Sequence, residues 1–564
     1  MKGNHILLLG ILSGMGLSIS TSLLASEFGT SENLVSKDNF AIIGTEYYQR
    51  SQFVTGEVRI FLKNTSKEPR SVSQCKLRES IVSNSEKLNK GGAEVNHFCS
   101  KLSPPILMPE RNGELLVKLL KTPPTNSELR CTIYDDTGKI SHSSILIKQA
   151  PLWIPYVGFS DDLSEIYVYA QNKTQKPLKL QLLKVAGIDV NDKCRSINNS
   201  LPPDDKGCLA FKMPTPLTFG EYVDVAVSAE SSDQKWQTHR IVRAVNNFPL
   251  LFEGGLGDPK LGLDSERFYI DFTSPSTAVP CIQTMICPAH YHGAHANAAK
   301  KFLESRNSIF SQDQYLLTQM WICRFDIPQS WYKFGPLPDV AGMNPILLAL
   351  SAYKSDAKAS GQFSPFFWLA TVAKKATAPN RYLACIPLNP DDAFFWQTSH
   401  TPDEIKFLIY CAVASGSKGI VYRGNPPSDR LSRDGFTKLN NELQQLEPLL
   451  ITAEPVNWAS TANKNYIAKA LLCGDKAILV VVFDRRYFSE QKGNKLRTPA
   501  FGKSLNPIKI KVKVPEEFLV SRVESMYNIL SKKLWNWYAN NLCFTANMID
   551  SVEVYKIIIQ QNTR

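Results

Sequence analysis

The chain has 564 residues, of which 43% are hydrophobic and 21% are charged. These fractions are ordinary for globular proteins and exclude a disordered or fibrous chain, and the length is sufficient for several domains. The 64 Lys and Arg residues outnumber the 52 Asp and Glu residues, for a net charge of +12. A basic excess favours anionic partners such as an acidic polysaccharide, a membrane surface or nucleic acid. Because the basic residues are scattered along the chain, a solvated basic surface is the favoured interpretation.

The first 25 residues have the pattern of a secretory signal peptide. Lys2 supplies the positive start, residues 6–17 form an apolar core, and Ala25 offers a small residue at the cleavage point. We therefore expect a protein that is secreted, periplasmic or displayed at the cell surface, with no membrane span after signal removal. An uncleaved N-terminal anchor is the alternative.

The next two segments, residues 38–148 and 151–247, are predicted to be all-β. Short apolar runs such as 58–64 and 129–134 are separated by turn sequences rich in Asn, Asp, Pro and Gly. The run VRIFLKN leads into NTSKEP, and IYVYAQN leads into NKTQKP. The two matches lie 108 positions apart, from Asn64 to Asn172. A period of that size predicts two related, immunoglobulin-like β-sandwiches in tandem.

Residues 248–455 are predicted to form an α/β barrel. Eight apolar runs recur there, the number that a β/α barrel needs: 249–253, 268–272, 282–287, 319–325, 340–343, 366–372, 382–386 and 419–422. Two hundred residues is the lower limit for that fold, and the connection between the second and third runs is too short for a crossover helix. We therefore expect a TIM-like barrel that is distorted or incomplete.

The end of this region carries the most regular pattern. Thr401 and Pro402 suit the start of a helix, Gly416 suits its end, and a second helix follows in FTKLNNELQQLEPLL. Lys418 lies near the negative end of the first helix dipole. The run TPDEIKFLIYCAVASGSKGIVY with LNNELQQLEPLL resembles the last segment of the β/α barrel in many secreted glycosidase-like proteins. The resemblance covers about fifty residues, and it implies fold more strongly than activity.

Residues 456–564 return to β structure, which fits the layout of those proteins. Residues 477–483 form a continuous apolar run, and residues 508–514 alternate strictly, with Lys509, Lys511 and Lys513 on one face. We expect a C-terminal β-sandwich.

Catalysis by such a barrel would use two carboxyl groups at the carboxyl ends of strands. The resemblance implies glutamates after the fourth and seventh strands. The fourth run leads to Asp326, but no acid ends the seventh, although Asp391 and Asp392 follow it. Glu253 ends the first run, so Glu253 with Asp326 is the candidate catalytic pair. The alternative for Asp326 is a structural role, in which it pairs with Arg324 or caps a loop.

A histidine cluster follows the third run, in CPAHYHGAH. His290 and His292 have the spacing that can place two imidazoles on one metal ion, so a metal-dependent hydrolase is one alternative. His400 is the only later histidine in the sequence that could add a ligand. The favoured interpretation is that His290 and His292 bind a loop or a polar ligand without metal. We predict no metal and no cofactor.

Aromatic and polar residues near the predicted strand ends are candidates for binding a sugar. Trp331 and Trp396 fall in predicted loops, where an indole could stack on a sugar ring, whereas Trp321 and Trp368 fall in strand runs and are predicted to be core. The remaining candidates on this rim are Arg324, Asn344, Tyr422 and Arg423.

The twelve cysteines show no C-x-x-C spacing, which removes support for a zinc or redox motif. Cys194 and Cys208 could close a polar loop as a disulfide. Cys75, Cys99 and Cys131 share the first sandwich, where one pair could form.

The sequence therefore predicts an exported, glycoside hydrolase-like protein that acts on or binds a polysaccharide. The positive net charge favours an acidic polysaccharide. A non-catalytic carbohydrate-binding or surface protein with a degenerate barrel is the first alternative, favoured by the missing acid. The metal-dependent hydrolase is the second. No nucleic-acid-binding module is recognisable, and the oligomeric state is left open.

Overall fold

The structure is a computed structural model in which β-sheets dominate and one sheet is parallel. The residues that it describes are 39–50, 55–79, 94–190, 193–198, 200–252, 281–286, 295–322, 328–343, 363–388, 402–423, 429–485, 490–492, 495–497, 507–526, 530, 535–538, 540–548 and 550–562.

The first sandwich consists of two antiparallel sheets, with strand orders β1-β2-β5-β4 and β3-β6-β7. Its strands are β1 (Phe40–Tyr48), β2 (Glu57–Asn64), β3 (Val72–Glu79), β4 (His97–Ser103), β5 (Asn112–Leu119), β6 (Glu128–Asp135) and β7 (Ile140–Leu146). Alternate residues of both sheets, such as Ile60 and Ile133, meet in one apolar core, as expected for strands with one buried face.

The second sandwich also consists of two sheets, ordered β11-β10-β15-β16, with β13 beside β10, and β12-β14-β9-β8. Its strands are β8 (Leu152–Phe159), β9 (Glu165–Asn172), β10 (Leu178–Val185), β11 (Ile188–Asp189), β12 (Arg195–Ile197), β13 (Ser200–Leu201), β14 (Lys206–Lys212), β15 (Tyr222–Glu230) and β16 (Lys235–Arg243).

The repeated sequence has a structural counterpart at the ends of β2 and β9. The Asn64 side chain accepts a hydrogen bond from the main-chain N–H of Ser66 at 2.9 Å and donates one to the carbonyl of Leu107 at 2.7 Å. The Asn172 side chain accepts a hydrogen bond from the main-chain N–H of Thr174 at 2.8 Å and donates one to the carbonyl of Leu201 at 2.9 Å. Both asparagines are completely buried. Each therefore fixes the same turn in the same way.

A six-stranded parallel sheet forms the centre of the molecule, in the order β17-β22-β21-β20-β19-β18. Its strands are β17 (Leu250–Phe252), β18 (Cys281–Ile286), β19 (Leu317–Ile322), β20 (Val340–Met343), β21 (Arg381–Pro387) and β22 (Ile420–Arg423). The helices are α1 (His295–Gln312), α2 (Pro328–Phe334), α3 (Phe363–Thr377), α4 (Pro402–Ala414) and α5 (Arg430–Leu450). The first and last strands in chain order, β17 and β22, are neighbours, and β18 lies at the other end of the sheet. The described strands form a half-barrel, and the closed barrel stays a prediction.

Six of the eight predicted strand runs match these strands, and run 268–272 lies outside the described residues. Run 366–372 was predicted wrongly, because it lies inside α3. Phe366, Leu369 and Ala373 are buried on one side of α3, while Trp368 is 56% exposed. The apolar residues recur at helical spacing, which identifies an amphipathic helix that the continuous apolar run concealed.

The segment around α4 and α5 agrees with its sequence pattern. Gly416, two residues after the end of α4, has φ +97°, a conformation that glycine adopts most readily. Thr401, the predicted N-cap, lies outside the described residues. Lys418 lies four residues after the last residue of α4. Its amine donates to the carbonyl of Leu450 at 3.3 Å and to that of Ala453, so it stabilises the end of α5.

The C-terminal sandwich contains sheets ordered β23-β25-β26-β33-β30 and β24-β29-β32-β31, with a separate β27-β28 pair. Its strands are β23 (Ala453–Val456), β24 (Ala459–Thr461), β25 (Tyr466–Cys473), β26 (Ala477–Asp484), β27 (Glu490–Lys492), β28 (Lys495–Arg497), β29 (Ile508–Lys513), β30 (Phe518–Ser525), β31 (Trp535–Tyr538), β32 (Asn541–Ala546) and β33 (Val552–Gln561). β26 is apolar from Ala477 to Phe483, before its last residue Asp484, because Leu479 packs towards the helices and Val480 packs into the sandwich core.

The predicted bridge between Cys194 and Cys208 is not formed. Cys194 packs against the core of the second sandwich, whereas Cys208 belongs to a core shared with the C-terminal sandwich. Both are free thiols, and their side chains contact different cores.

Candidate functional site at the carboxyl edge of the parallel sheet

The central sheet has two distinct faces. Ile420 and Tyr422 belong to the large core that contains the helices, whereas Val421, Leu251 and Leu383 form a second, smaller apolar cluster. This alternation follows from the two-residue period of a strand. It identifies the helix-covered outer face and the inner face of the half-barrel.

The carboxyl ends of all six strands lie at one edge, because the strands are parallel. Phe252 pairs with Tyr422, and Ile286 pairs with Ile322, which in turn pairs with Met343. In β/α folds this edge carries the reactive groups. Most of the predicted site residues are in the segments that directly follow these strands and lie outside the described residues. They are Glu253, His290, His292, Arg324, Asp326, Asn344 and Trp396.

The prediction that Trp331 lies in a loop is wrong. Trp331 belongs to α2 and is 1% exposed, in the same core as Phe334. Pro328 begins this short helix, a position that suits proline. A buried indole cannot stack on a sugar, so the structure places Trp331 in the core.

Tyr422 also has a different position from the one predicted. Its hydroxyl donates to the side-chain oxygen of Asn440 in α5 at 2.5 Å, and its ring meets that of Phe436 edge to face at 4.8 Å. Burial raises the pKa of the phenol. Tyr422 therefore anchors the last strand to the helix layer and does not line the inner face. Arg423 is the final residue of β22, where its backbone pairs with Pro387.

The amino edge of the same sheet is covered by the second sandwich. From that sandwich, the guanidinium of Arg243 donates to the carbonyls of Gln314 and Leu316 at 2.6 and 2.9 Å. Arg381, the first residue of β21, donates to the Asn247 side chain and to the Lys418 carbonyl, both at 2.9 Å. Burial lowers the pKa of Arg381, and the nearby Tyr156 and Glu447 offset only part of that effect.

A buried carboxylate joins three regions near this edge. Glu454 accepts from Lys206 of the second sandwich at 2.7 Å and lies 3.4 Å from Lys374 of α3. Burial alone would raise the pKa of Glu454. The charges of Lys206, Lys374 and Lys418 outweigh that effect and hold the pKa at about 2. The carboxylate therefore stays ionised and fixes the second sandwich, α3 and β23 together.

A second buried network joins the first sandwich to its neighbours. Glu57 accepts from Arg50 at 2.6 Å and from Arg59 and Lys118 at 2.9 Å. Arg50 also donates to the Lys375 carbonyl in α3 at 2.7 Å. Sequence reasoning missed both networks. The only sequence signal for each network was a glutamate in or next to a short strand. Glu57 directly precedes VRIFL in β2, and Glu454 lies in the short strand AEPV.

Lys101 is a further buried cation in the first sandwich. Its amine donates to the carbonyl of Pro336 at 3.1 Å. Burial lowers its pKa from 10.5 to about 7, an effect that the nearby charge of Arg306 reinforces. Lys101 is thus a group whose protonation changes near neutral pH.

Two further observations concern metal binding and membranes. Within the ranges given above, no group of three or more His, Cys, Asp and Glu side chains is arranged to hold a metal ion. No helix in the described part of the chain is long and apolar enough to cross a bilayer.

Comparison with known proteins gives only distant likenesses. No protein-family model matches the chain, and no curated protein matches its sequence. Among solved structures, a putative α-galactosidase from Bacteroides fragilis is similar with a TM-score of 0.32 and 10% identity, covering 73% of this chain and 99% of its own. A family 36 α-galactosidase from Geobacillus stearothermophilus, in complex with raffinose, gives 0.32 and 7%, with coverages of 93% and 88%.

A third similar structure is a periplasmic stator complex of the Sulfolobus acidocaldarius archaellum. It gives a TM-score of 0.15 and 12% identity and covers 22% of this chain and 100% of its own. Overlaps this loose and this low in identity establish neither a family nor an activity for the chain.

Proposed function

We propose that this protein is exported and acts on or binds a glycan at the carboxyl edge of its parallel sheet. The observation that carries the proposal is topological. Six parallel strands end at one edge, and Glu253 directly follows the last residue of β17. The resemblance of residues 401–450 to the closing segment of glycosidase-like barrels supports the same conclusion.

Glu253 and Asp326 are the proposed catalytic carboxyl groups. Asp326 follows the end of β19 by four residues. Three strands separate β17 from β19 in the sheet, so a flat sheet would hold their ends about 19 Å apart at 4.8 Å per strand. Glycosidases need their two carboxyl groups roughly 5–10 Å apart. The pair can therefore act together only across the concave face of the half-barrel.

The missing acid after the seventh strand still argues against catalysis by an acid at that position. Since run 366–372 is the helix α3, β21 moves one place earlier in the strand count. Run 419–422 then becomes the seventh, and Arg423, Gly424 and Asn425 follow it instead of an acid. Asp391 and Asp392 still follow β21 and lie outside the described residues.

The test is a panel of neutral and acidic polysaccharides, assayed in parallel for binding and for release of reducing ends by the full chain. The proposal predicts binding to at least one glycan, with reducing-end release that Glu253→Gln and Asp326→Asn abolish. Glu304→Gln, an exposed acid on α1, is the matched control and should leave release unchanged.

Each other outcome rejects a defined part of the proposal. Binding without release would reject catalysis and leave a carbohydrate-binding protein. Release abolished by a chelator would reject the carboxylate pair in favour of a metal built on His290 and His292. No binding to any member of the panel would reject the glycan proposal altogether. N-terminal sequencing of the exported protein tests removal of the first 25 residues.

A further inference from the structure

Two thiols in the first sandwich lie close enough to react with each other. The sulfurs of Cys75 in β3 and Cys131 in β6 are 3.7 Å apart. β3 and β6 are neighbours in one antiparallel sheet, in which Cys75 pairs with Ile133 and Cys131 pairs with Leu77. The two cysteines are therefore diagonal neighbours on one face of the sheet. Diagonal neighbours are farther apart than directly opposed residues, but the 3.7 Å between the two sulfurs shows that these side chains meet.

The packing distinguishes this pair from the other cysteine of the sandwich. Cys75 and Cys131 both belong to the apolar core between the two sheets, at 3% and 0% exposure. Cys99 is buried in a different core, together with Phe334 of α2. Of the three cysteines between which the sequence could not choose, the structure brings together Cys75 and Cys131.

We propose that Cys75 and Cys131 form a disulfide when the protein folds in an oxidising compartment. In that step a sulfur–sulfur bond forms, and the two thiols lose two protons and two electrons. The acceptor is the disulfide of a thiol–disulfide oxidoreductase, which is reduced to two thiols. Closing the bond requires the sulfurs to move from 3.7 Å to about 2.05 Å, by side-chain rotation together with a small approach of the two strands.

The same burial determines when the bond can form. The hydrogen bond with Cys131 and the loss of water raise the pKa of the Cys75 thiol well above its usual range. The thiolate is the reactive form, so this thiol is unreactive once the sandwich has closed. The bond therefore forms while β3 and β6 are pairing, before the core excludes the oxidant.

The crosslink would join positions 56 residues apart. A covalent link over such a distance restricts the unfolded chain strongly. It would also tie the central strand of the three-stranded sheet to an edge strand, since β6 lies between β3 and β7. Reduction should accordingly lower the thermal midpoint of this sandwich.

The direct test uses the full chain produced in an oxidising compartment. The protein is denatured without reductant, its free thiols are alkylated, and its peptides are mapped. We expect peptides that carry Cys75 and Cys131 to be joined and to separate on reduction. Protein made in a reducing compartment should have both cysteines alkylated after denaturation, and should resist oxidation while folded. Alkylation of both residues in the oxidised preparation, or a bond from either one to Cys99, would overturn the proposal.

A second measurement does not depend on mapping. Reduction should lower the melting midpoint of the wild-type protein by at least a few degrees, but should leave the Cys75→Ala/Cys131→Ala variant unchanged. Cys99→Ala is the control that should keep the wild-type response. An equal response to reduction in wild type and double variant would contradict the proposal. Peptide mapping of the wild type decides the question even where a variant does not fold.

Discussion

The two edges of the parallel sheet differ in how their polar residues are used. At the amino edge, Arg381, Lys418 and Asp339 are buried, and each has a partner within the fold. At the carboxyl edge the strands lead into segments rich in acids, imidazoles and indoles, among them Glu253 and Asp326. The amino edge holds buried charges that have partners in the fold, and the carboxyl edge is followed in the sequence by the residues that are proposed for catalysis.

This difference has a physical basis. A buried charge is tolerable only where partners replace its lost water. At the amino edge those partners come from neighbouring regions, as when Lys206 of the second sandwich donates to Glu454. The charges thereby hold the regions in place, which is a structural role. A site that takes a substrate needs groups that remain accessible, and only the carboxyl edge is proposed to supply them.

The largest expected effect is on the proposed chemistry. Glu253→Gln and Asp326→Asn should each reduce reducing-end release by at least about 100-fold, the usual contribution of a group that transfers a proton or activates a nucleophile. Neither should change the free energy of unfolding, measured by urea denaturation. If Asp326→Asn unfolded the protein, Asp326 would have a structural role. The carboxyl edge would then use its charge as the amino edge does.

The next effect concerns the buried carboxylate near the amino edge. Glu454→Gln should reduce the free energy of unfolding by about 3–5 kcal/mol, because it leaves buried lysines without their counter-charge. Urea denaturation measures this loss. The exposed Glu304, which lies 3.8 Å from Lys300, provides the comparison, since Glu304→Gln should change stability by no more than about 0.5 kcal/mol. Similar values for the two variants would show that Glu454 does not hold the regions together.

A smaller effect depends on pH. Burial lowers the pKa of Lys101 to about 7, so above that pH the folded protein has released a proton that the unfolded chain keeps up to about pH 10. The free energy of unfolding should therefore rise between pH ~7 and ~10, and the full cost of burying the cation applies below pH ~7. Lys101→Met should flatten this part of the curve. Identical slopes in the two proteins would contradict the buried position of the amine.

The smallest effect tests the face that Tyr422 occupies. Tyr422→Phe removes the hydrogen bond to Asn440 and should lower the free energy of unfolding by about 1 kcal/mol. Glycan binding should stay at the wild-type level, because the ring contacts Phe436 in the helix layer. A loss of glycan affinity without a loss of stability would show that Tyr422 contacts the glycan.

The fold was predictable where one physical signal dominated. β29 alternates strictly because only one of its faces is buried, and the repeated turn at Asn64 and Asn172 left a matching sequence. The helix α3 was mistaken for a strand because most of its length is apolar, which conceals its period.

The positions of the site residues were less predictable. Tyr422 is in the predicted strand, but the face it occupies depends on strand register, which the sequence of a four-residue strand does not determine. Trp331 and the partners of Glu454 depend on contacts between segments far apart in the chain. No local sequence pattern predicts those contacts.

The most direct test of the central claim is a hydrogen-exchange map of the full chain with and without a glycan selected from the polysaccharide panel. Protection should appear in peptides that directly follow β17, β19 and β21, and exchange at the amino edge around Arg381 and Asp339 should not change. Protection confined to the sandwiches or to the amino edge would contradict the assignment of the carboxyl edge as the glycan site.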